Sequence, residues 1–265
     1  MSSNNLKKSA VIAIYLAVFL ANFFIFTPQV KSLENPHYFY GYVYYQNDTK
    51  VPAGTVVTLT DYNNSNYMTT TTIDLGNGVT NYYLADVSQI TGSQDGDLII
   101  LNCSVNGEVG CNSTNINISL GSQQVDLHLE TQSLSISVSP SQWNQGSLNI
   151  GSSNNTTGGY FNLSNNGNTE VDVLIHGENI TWDGNTWYLS SSADLDHFVL
   201  QYRKTVDSVW TNIGTTNSTF ISNLKPAYSW YTNWTRFDLK IILPTSSSKD
   251  PPQIGFNITF WAIVS

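Results

Sequence analysis

Charge is what this chain has least of. Only 11% of its 265 residues are Asp, Glu, Lys or Arg, against roughly a quarter in ordinary soluble domains. The basic residues are the scarcer kind, 10 against 19 acidic ones, and they form no run in the sequence. An acidic chain without a basic cluster repels phosphate backbones, which excludes nucleic acid as the expected partner. Cysteine is held to two residues with no CxxC spacing, which excludes a thiolate metal cluster and a disulfide-dense scaffold. Past residue 26 there is no apolar run of spanning length, and the alternating stretch Phe256 to Val264 reads as a last strand. Helical periodicity is nearly absent outside the N-terminal stretch, which removes the helical fold classes. No HExxH, GxSxG, P-loop or glycine-rich dinucleotide turn occurs, so the chain reads as a non-enzyme that takes no cofactor.

What fills the space is amide and hydroxyl. The chain has 30 Asn and 58 Ser or Thr, so its polar faces are solvated by neutral groups, as in an exported coat or matrix protein. Twelve asparagines stand two before Ser or Thr and are candidate glycosylation sites: Asn47, Asn63, Asn102, Asn112, Asn117, Asn154, Asn155, Asn162, Asn179, Asn217, Asn233 and Asn257. Export is also the reading of residues 1–32, where Lys7-Lys8 precede the apolar run AVIAIYLAVFLANFFIF (10–26). This is a cleaved signal peptide or, if retained, an N-terminal membrane anchor through residues 10–26. All 19 acidic residues follow Leu33 while only 7 of the 10 basic ones do, so without the leader the net charge is 7 − 19 = −12.

The rest reads as short strands. In YFNLSNNGNTEVDVLIHGENITW (160–182), Phe161 and Leu163 alternate with polar residues, as do Val171, Val173 and Ile175. Asn-Gly between two period-2 arms predicts a β-hairpin with positive φ at Gly167, where Gly167→Val is expected to do damage. Strands are also expected at Tyr38–Tyr45, Thr55–Thr60, Met68–Ile73, Asn81–Leu84, Leu98–Ser104, Asn115–Leu120 and Gln124–Glu130. A second set follows at Thr186–Leu189, Phe198–Arg203, Trp210–Ile213, Ser218–Asn223, Trp234–Leu243 and Phe256–Val264. Nine of the 15 Tyr fall between Tyr38 and Tyr83, whereas all seven Trp follow Gln142, which suggests two separate cores. The expected fold is therefore all-β, two antiparallel sandwiches in series, with domains at 33–131 and 132–265.

Three groups of residues invite chemistry. Cys103 and Cys111 flank Gly107, and a three-residue loop centred there would set them opposite each other, so a disulfide is expected in an exported chain. Trp230 and Trp234 crowd one bend and offer rings on which a sugar could stack, while buried core tryptophan is the ordinary alternative. Asp194, Asp196 and His197 could contribute to a small cation site, but a solvated loop leading into the next strand is the ordinary reading.

GYVYYQNDTKVPAGTVVTLTDYNNSNYMTTTT, with NYYLADV, DGDLIILNCSVNGEVG and VDLHLE, resembles the transthyretin-like or carboxypeptidase regulatory-like modules. WNQGSLNIGSS, the 160–182 stretch and LPTSSSKDPPQIGFNITFWAIV resemble Ig-like modules of prokaryotic, archaeal-type surface proteins. Both resemblances imply sandwich folds without catalytic residues of their own. The expected function is an exported, non-enzymatic structural or adhesive protein, extracellular or at the cell surface. Its expected partners are itself or other envelope proteins; the competing reading is a carbohydrate-binding module that takes glycans. One further expectation is that the freed segment from Leu33 to Tyr45 completes either its own sheet or that of a neighbour.

Overall fold

A computed structural model describes residues 35–228, 232–249 and 255–265; the leader lies outside them. The chain is all-β. Its strands are β1 (Tyr38–Tyr44), β2 (Val56–Asp61), β3 (Tyr67–Thr71), β4 (Tyr82–Asp86), β5 (Leu98–Val105), β6 (Glu108–Asn115), β7 (Ser122–Gln124), β8 (Leu127–His128), β9 (Glu130–Thr131) and β10 (Ile136–Ser139). They continue as β11 (Ser153–Asn155), β12 (Phe161–Asn165), β13 (Val171–Gly177), β14 (Ile180–Trp182), β15 (Asn185–Leu189), β16 (His197–Lys204), β17 (Thr211–Ile213), β18 (Ser218–Leu224), β19 (Trp234–Ile242) and β20 (Ile258–Val264). Two compact units result. One comprises the described residues up to Val105 together with Gly110–Leu129, the other Asn106–Val109 and Glu130–Ser265.

In the first unit, β4-β1-β7 with β8 forms one sheet, and β3-β2-β5-β6 belong to the other. Period-2 alternation sends Phe39 and Val43 of β1, Tyr83 and Ala85 of β4, Val57 and Leu59 of β2, and Ile99 and Leu101 of β5 into one core. The opposite face of β1 carries Tyr38, Tyr40, Tyr42 and Tyr44. With Tyr82 these rings form a cross-strand ladder, Tyr42 lying 5.6 Å and Tyr40 6.4 Å from Tyr82 between centroids. Among the described strands, parallel pairing occurs where β1 runs beside β7 and β8, and β15 beside β16. Of the two alternatives for the segment from Leu33 to Tyr45, the described part takes its own sheet: β1 is an interior strand, pairing with β4 on one side and with β7 and β8 on the other. Removing residues 33–41 would take out the centre of this sheet.

Two strand assignments change. Asn115–Leu120 is the end of β6 followed by a single 3-10 turn, Ile118–Leu120, and Gln124–Glu130 is broken into β7, β8 and β9. The break comes at Val125 and Asp126, which arch over Gly41. A Cβ built on Gly41 would lie 2.2 Å from the Val125 carbonyl oxygen.

The second unit packs an eight-stranded sheet, β10-β12-β19-β16-β15-β14 with β11 and β17, against a three-stranded sheet, β18-β13-β20. Its core draws Phe161 and Leu163 from β12, Val171, Val173 and Ile175 from β13, and Phe198, Leu200, Phe237 and Leu239 from β16 and β19. The expected hairpin is therefore an arch. β12 pairs with β10 and β19, whereas β13 pairs with β18 and β20 in the opposite sheet. Gly167 does not have a positive φ. It is needed for a different reason: a Cβ there would meet the Ser133 carbonyl oxygen at 2.3 Å.

Candidate functional site

The two cysteines are unbridged. A two-residue turn, Asn106 (φ 52°) and Gly107 (φ 78°), joins Val105 of β5 to Glu108 of β6, where a three-residue loop was expected. Counting back from a two-residue turn sets Cys103 opposite Gly110, so that Cys111 projects from the other face of the hairpin. Cys103 lies in the first core, and burial pushes its thiol up from the ordinary 9.0 to about 11. Burial raises Cys111 likewise, to about 12. Both groups stay protonated through neutral pH, and their contribution to stability is whole below about pH 9 and lost as pH rises toward 11 to 12. Ellman's reagent at pH 8 should therefore react slowly with the native chain and with two thiols once guanidinium is added. A chain without thiols in denaturant would restore the disulfide.

Of the candidate glycosylation sites, Asn47, Asn63, Asn112, Asn117, Asn155, Asn179, Asn217 and Asn257 are exposed, and Asn102, Asn154, Asn162 and Asn233 are half-buried. Asn162 sits on an interior strand, between Ser139 of β10 and Arg236 of β19, so it has no sheet edge to protect. The Asn233 amide is engaged, donating to the Asn165 carbonyl at 2.8 Å.

Trp230 lies outside the described residues. Trp234 opens β19 and is 45% exposed, with the Arg236 guanidinium 5.5 Å from its ring centroid. His197 meets Asp194 at 2.5 Å, but Asp196 turns to the 245–249 loop and accepts from the Ser247 hydroxyl (3.1 Å) and the Ser248 amide (2.8 Å). Hydrogen bonds from Ser248, with a lesser one from Ser247, hold its carboxyl below the ordinary range against an opposing effect of burial. Ser247 in turn accepts from the Trp187 indole at 2.9 Å, so this constellation fastens a loop. Among the described residues no group of three or more His, Cys, Asp or Glu is placed to hold a metal ion.

The feature that the sequence does not advertise is the edge of the small sheet. At one end β18 is irregular, with register shifts against β13 and Asn223 at φ 57°, and irregular edges resist further pairing. At the other end β20 pairs with β13 in unbroken register, from Val171 opposite Val264 to Gly177 opposite Ile258. The Ser265 amide donates to the Glu170 carbonyl at 3.4 Å. By antiparallel alternation Trp261 and Ile263 then turn their backbone groups toward β13, while Phe260, Ala262 and Val264 turn theirs outward. Among the described residues no strand meets that outward edge. Its sequence, ITFWAIV, contains no charge, proline or glycine. Trp261 (59%) and Ile263 (39%) are exposed on the sheet's outer face, and Ile258, Phe260 and Ala262 are only partly covered on the inner one.

No protein-family model matches the chain, and no curated protein matches it. Solved structures offer distant likenesses. The chaperone–tip adhesin complex of CFA/I fimbriae matches at 9% identity, over 82% of this chain and 77% of that one, with a TM-score of 0.27. The CsuC–CsuE chaperone–tip adhesion subunit complex from Csu pili of Acinetobacter baumannii matches at 9% identity over 78% and 84%, with a TM-score of 0.28. A backbone pilin of Streptococcus pyogenes matches at 11% identity over 88% and 65%, with a TM-score of 0.20. The all-β assignment stands on the strands and cores themselves.

Proposed function

We propose that this chain is an exported, non-enzymatic structural or adhesive protein of a cell surface or extracellular layer, whose copies pair edge to edge through β20. A leader at 1–32 directs it there, and two serial sandwich domains meeting near residue 131 form the exported part. The observation that carries the reading is the uncharged, regular edge of β20 beside exposed Trp261 and Ile263. Soluble sandwiches ordinarily blunt such an edge with lysine, proline or a bulge. Two copies of ITFWAIV running antiparallel would satisfy each other's free backbone groups about a two-fold axis. Sugars at exposed sites such as Asn217, beside β18, would keep the other edge of that sheet from pairing.

Protease shaving of intact cells that make the protein tests the placement. Peptides from residues 35–265 should appear in the supernatant before lysis, some carrying glycan on the exposed sequons. A chain protected until the cells are broken would refute surface placement.

A further inference from the structure

We propose that the outer face of the eight-stranded sheet binds an acidic polysaccharide, one bearing carboxylates or sulfates on its sugar rings. The basic residues that look scattered in the sequence converge here. Three of the seven that follow the leader, Arg203, Arg236 and Lys240, share one side of the paired strands β16 and β19, whose register sets Gln201 opposite Lys240 and Arg203 opposite Asp238. Since Phe237, Leu239 and Ile241 enter the core, Arg236 and Lys240 project from the other side of β19. Leu200 and Tyr202 fix Arg203 on that same side of β16.

Aromatic rings are interleaved with these cations. The Arg203 guanidinium lies 4.7 Å from the Trp210 ring centroid, and the Lys240 ammonium approaches the same ring at 5.9 Å. Arg236 stands over the exposed Trp234. Among the described residues Asp238 is the carboxylate of this face, and it is committed to Arg203 and to the backbone beside it, leaving Arg236 and Lys240. Asp238 is buried, accepts from the Thr156 hydroxyl (3.0 Å) and from the Gly159 and Tyr160 amides (3.2 Å each), and pairs with Arg203 at 3.5 Å. Lys204 falls on the other side of β16 from Arg203 and pairs with Asp207 at 3.7 Å. Arg236 and Lys240 have no ion-pair partner among the described residues.

A chain that is net −12 without its leader thus presents a local positive stripe faced with indole. Arg236 and Lys240, four residues apart on one strand, are separated by roughly 13 Å, so the ligand must be extended. An acidic protein segment would use the cations and leave the rings idle. A uronate or sulfated pyranose brings an anionic group and an apolar ring face together, which matches both halves of the stripe.

The test is titration calorimetry of the chain from residue 33 onward with polygalacturonate and dextran sulfate, with neutral dextran as control. Binding to both acidic polymers and not to dextran is expected, weakening about tenfold between low and high salt because exposed charges are screened. Arg236→Gln with Lys240→Gln should lose tenfold or more at an unchanged melting temperature, and Trp234→Ala should also lose affinity. Lys225→Gln with Lys249→Gln should behave as the parent. Absence of binding, equal binding of dextran, or undiminished binding by the double variant would overturn the proposal. So would tighter binding of a single-stranded oligonucleotide, or sedimentation showing that Arg236 and Lys240 instead hold a second copy.

Discussion

Replacing Asn165 with leucine should cost the second unit about 3–5 kcal/mol, lowering its melting temperature by about 10–15 °C. The side chain is fully buried, and its Nδ2 donates to the carbonyls of Thr169 (2.8 Å), Leu224 (3.1 Å) and Lys225 (3.1 Å). Its Oδ1 accepts the Gly167 amide at 2.9 Å, and its own carbonyl accepts the Asn233 amide. One side chain thus ties the arch between the sheets to the ends of β18 and β19. Leucine fills a similar volume but leaves the Gly167 amide and the Thr169, Leu224 and Lys225 carbonyls without this partner; buried groups so orphaned cost about 1–3 kcal/mol each before any of them finds water. The neighbouring Asn166→Ala is the control. Asn166 is exposed and its side chain donates to the Ser137 hydroxyl at 2.9 Å, so the change should stay within about 0.5 kcal/mol. Thermal melts that treat the two alike would contradict the arch.

Gly41→Ala should be as severe for the first unit, at about 3 kcal/mol or more, a shift of about 15 °C. The methyl group would sit 2.2 Å from the Val125 carbonyl oxygen, 2.7 Å from its carbon and 2.9 Å from an Asp126 carboxylate oxygen. Those atoms are fixed. The Tyr83 phenol donates to the Val125 carbonyl, and Asp126 accepts the Tyr42 amide at 2.9 Å. Backbone cannot yield as a flexible side chain would, so the arch would lift off β1 and uncover Phe39 and Val43. Gly54→Ala is a useful contrast. Gly54 has φ 87° with open space around its Cβ position, so only backbone strain of about 1 kcal/mol is expected. Unfolding curves separate a steric cost from a conformational one.

These two sites show what the sequence could convey. Period-2 alternation at Val171, Val173 and Ile175 marks a half-buried strand wherever its partner lies, and β13 was legible for that reason. The same pattern is produced by a hairpin and by an arch, because either way one face is buried. Partner choice rests on Asn165 and on the tight passage of Ser133 past Gly167, contacts that only the folded chain makes. The cysteines teach a related lesson about parity. One residue more or less in the turn at Asn106-Gly107 moves Cys103 from facing Cys111 to facing Gly110, and composition does not distinguish the two turns. The basic stripe could not be read at all, since Arg203 and Lys240 become neighbours only through the pairing of β16 with β19. The edge of β20 was half legible: ITFWAIV reads as a strand, but its place at the rim depends on topology.

Pairing through that rim is the claim on which the functional account depends. Sedimentation velocity of the chain from residue 33 onward, run as a concentration series beside a Trp261→Lys, Ile263→Lys variant, tests it most directly. Both substitutions fall on exposed side chains and place lysine beside an open edge, where it discourages strand addition without disturbing the core. The native chain should shift from monomer to dimer as concentration rises, and the variant should remain monomeric with the same melting temperature. A native chain that stays monomeric at millimolar concentration, or a folded variant that associates as well as the parent, would contradict the account.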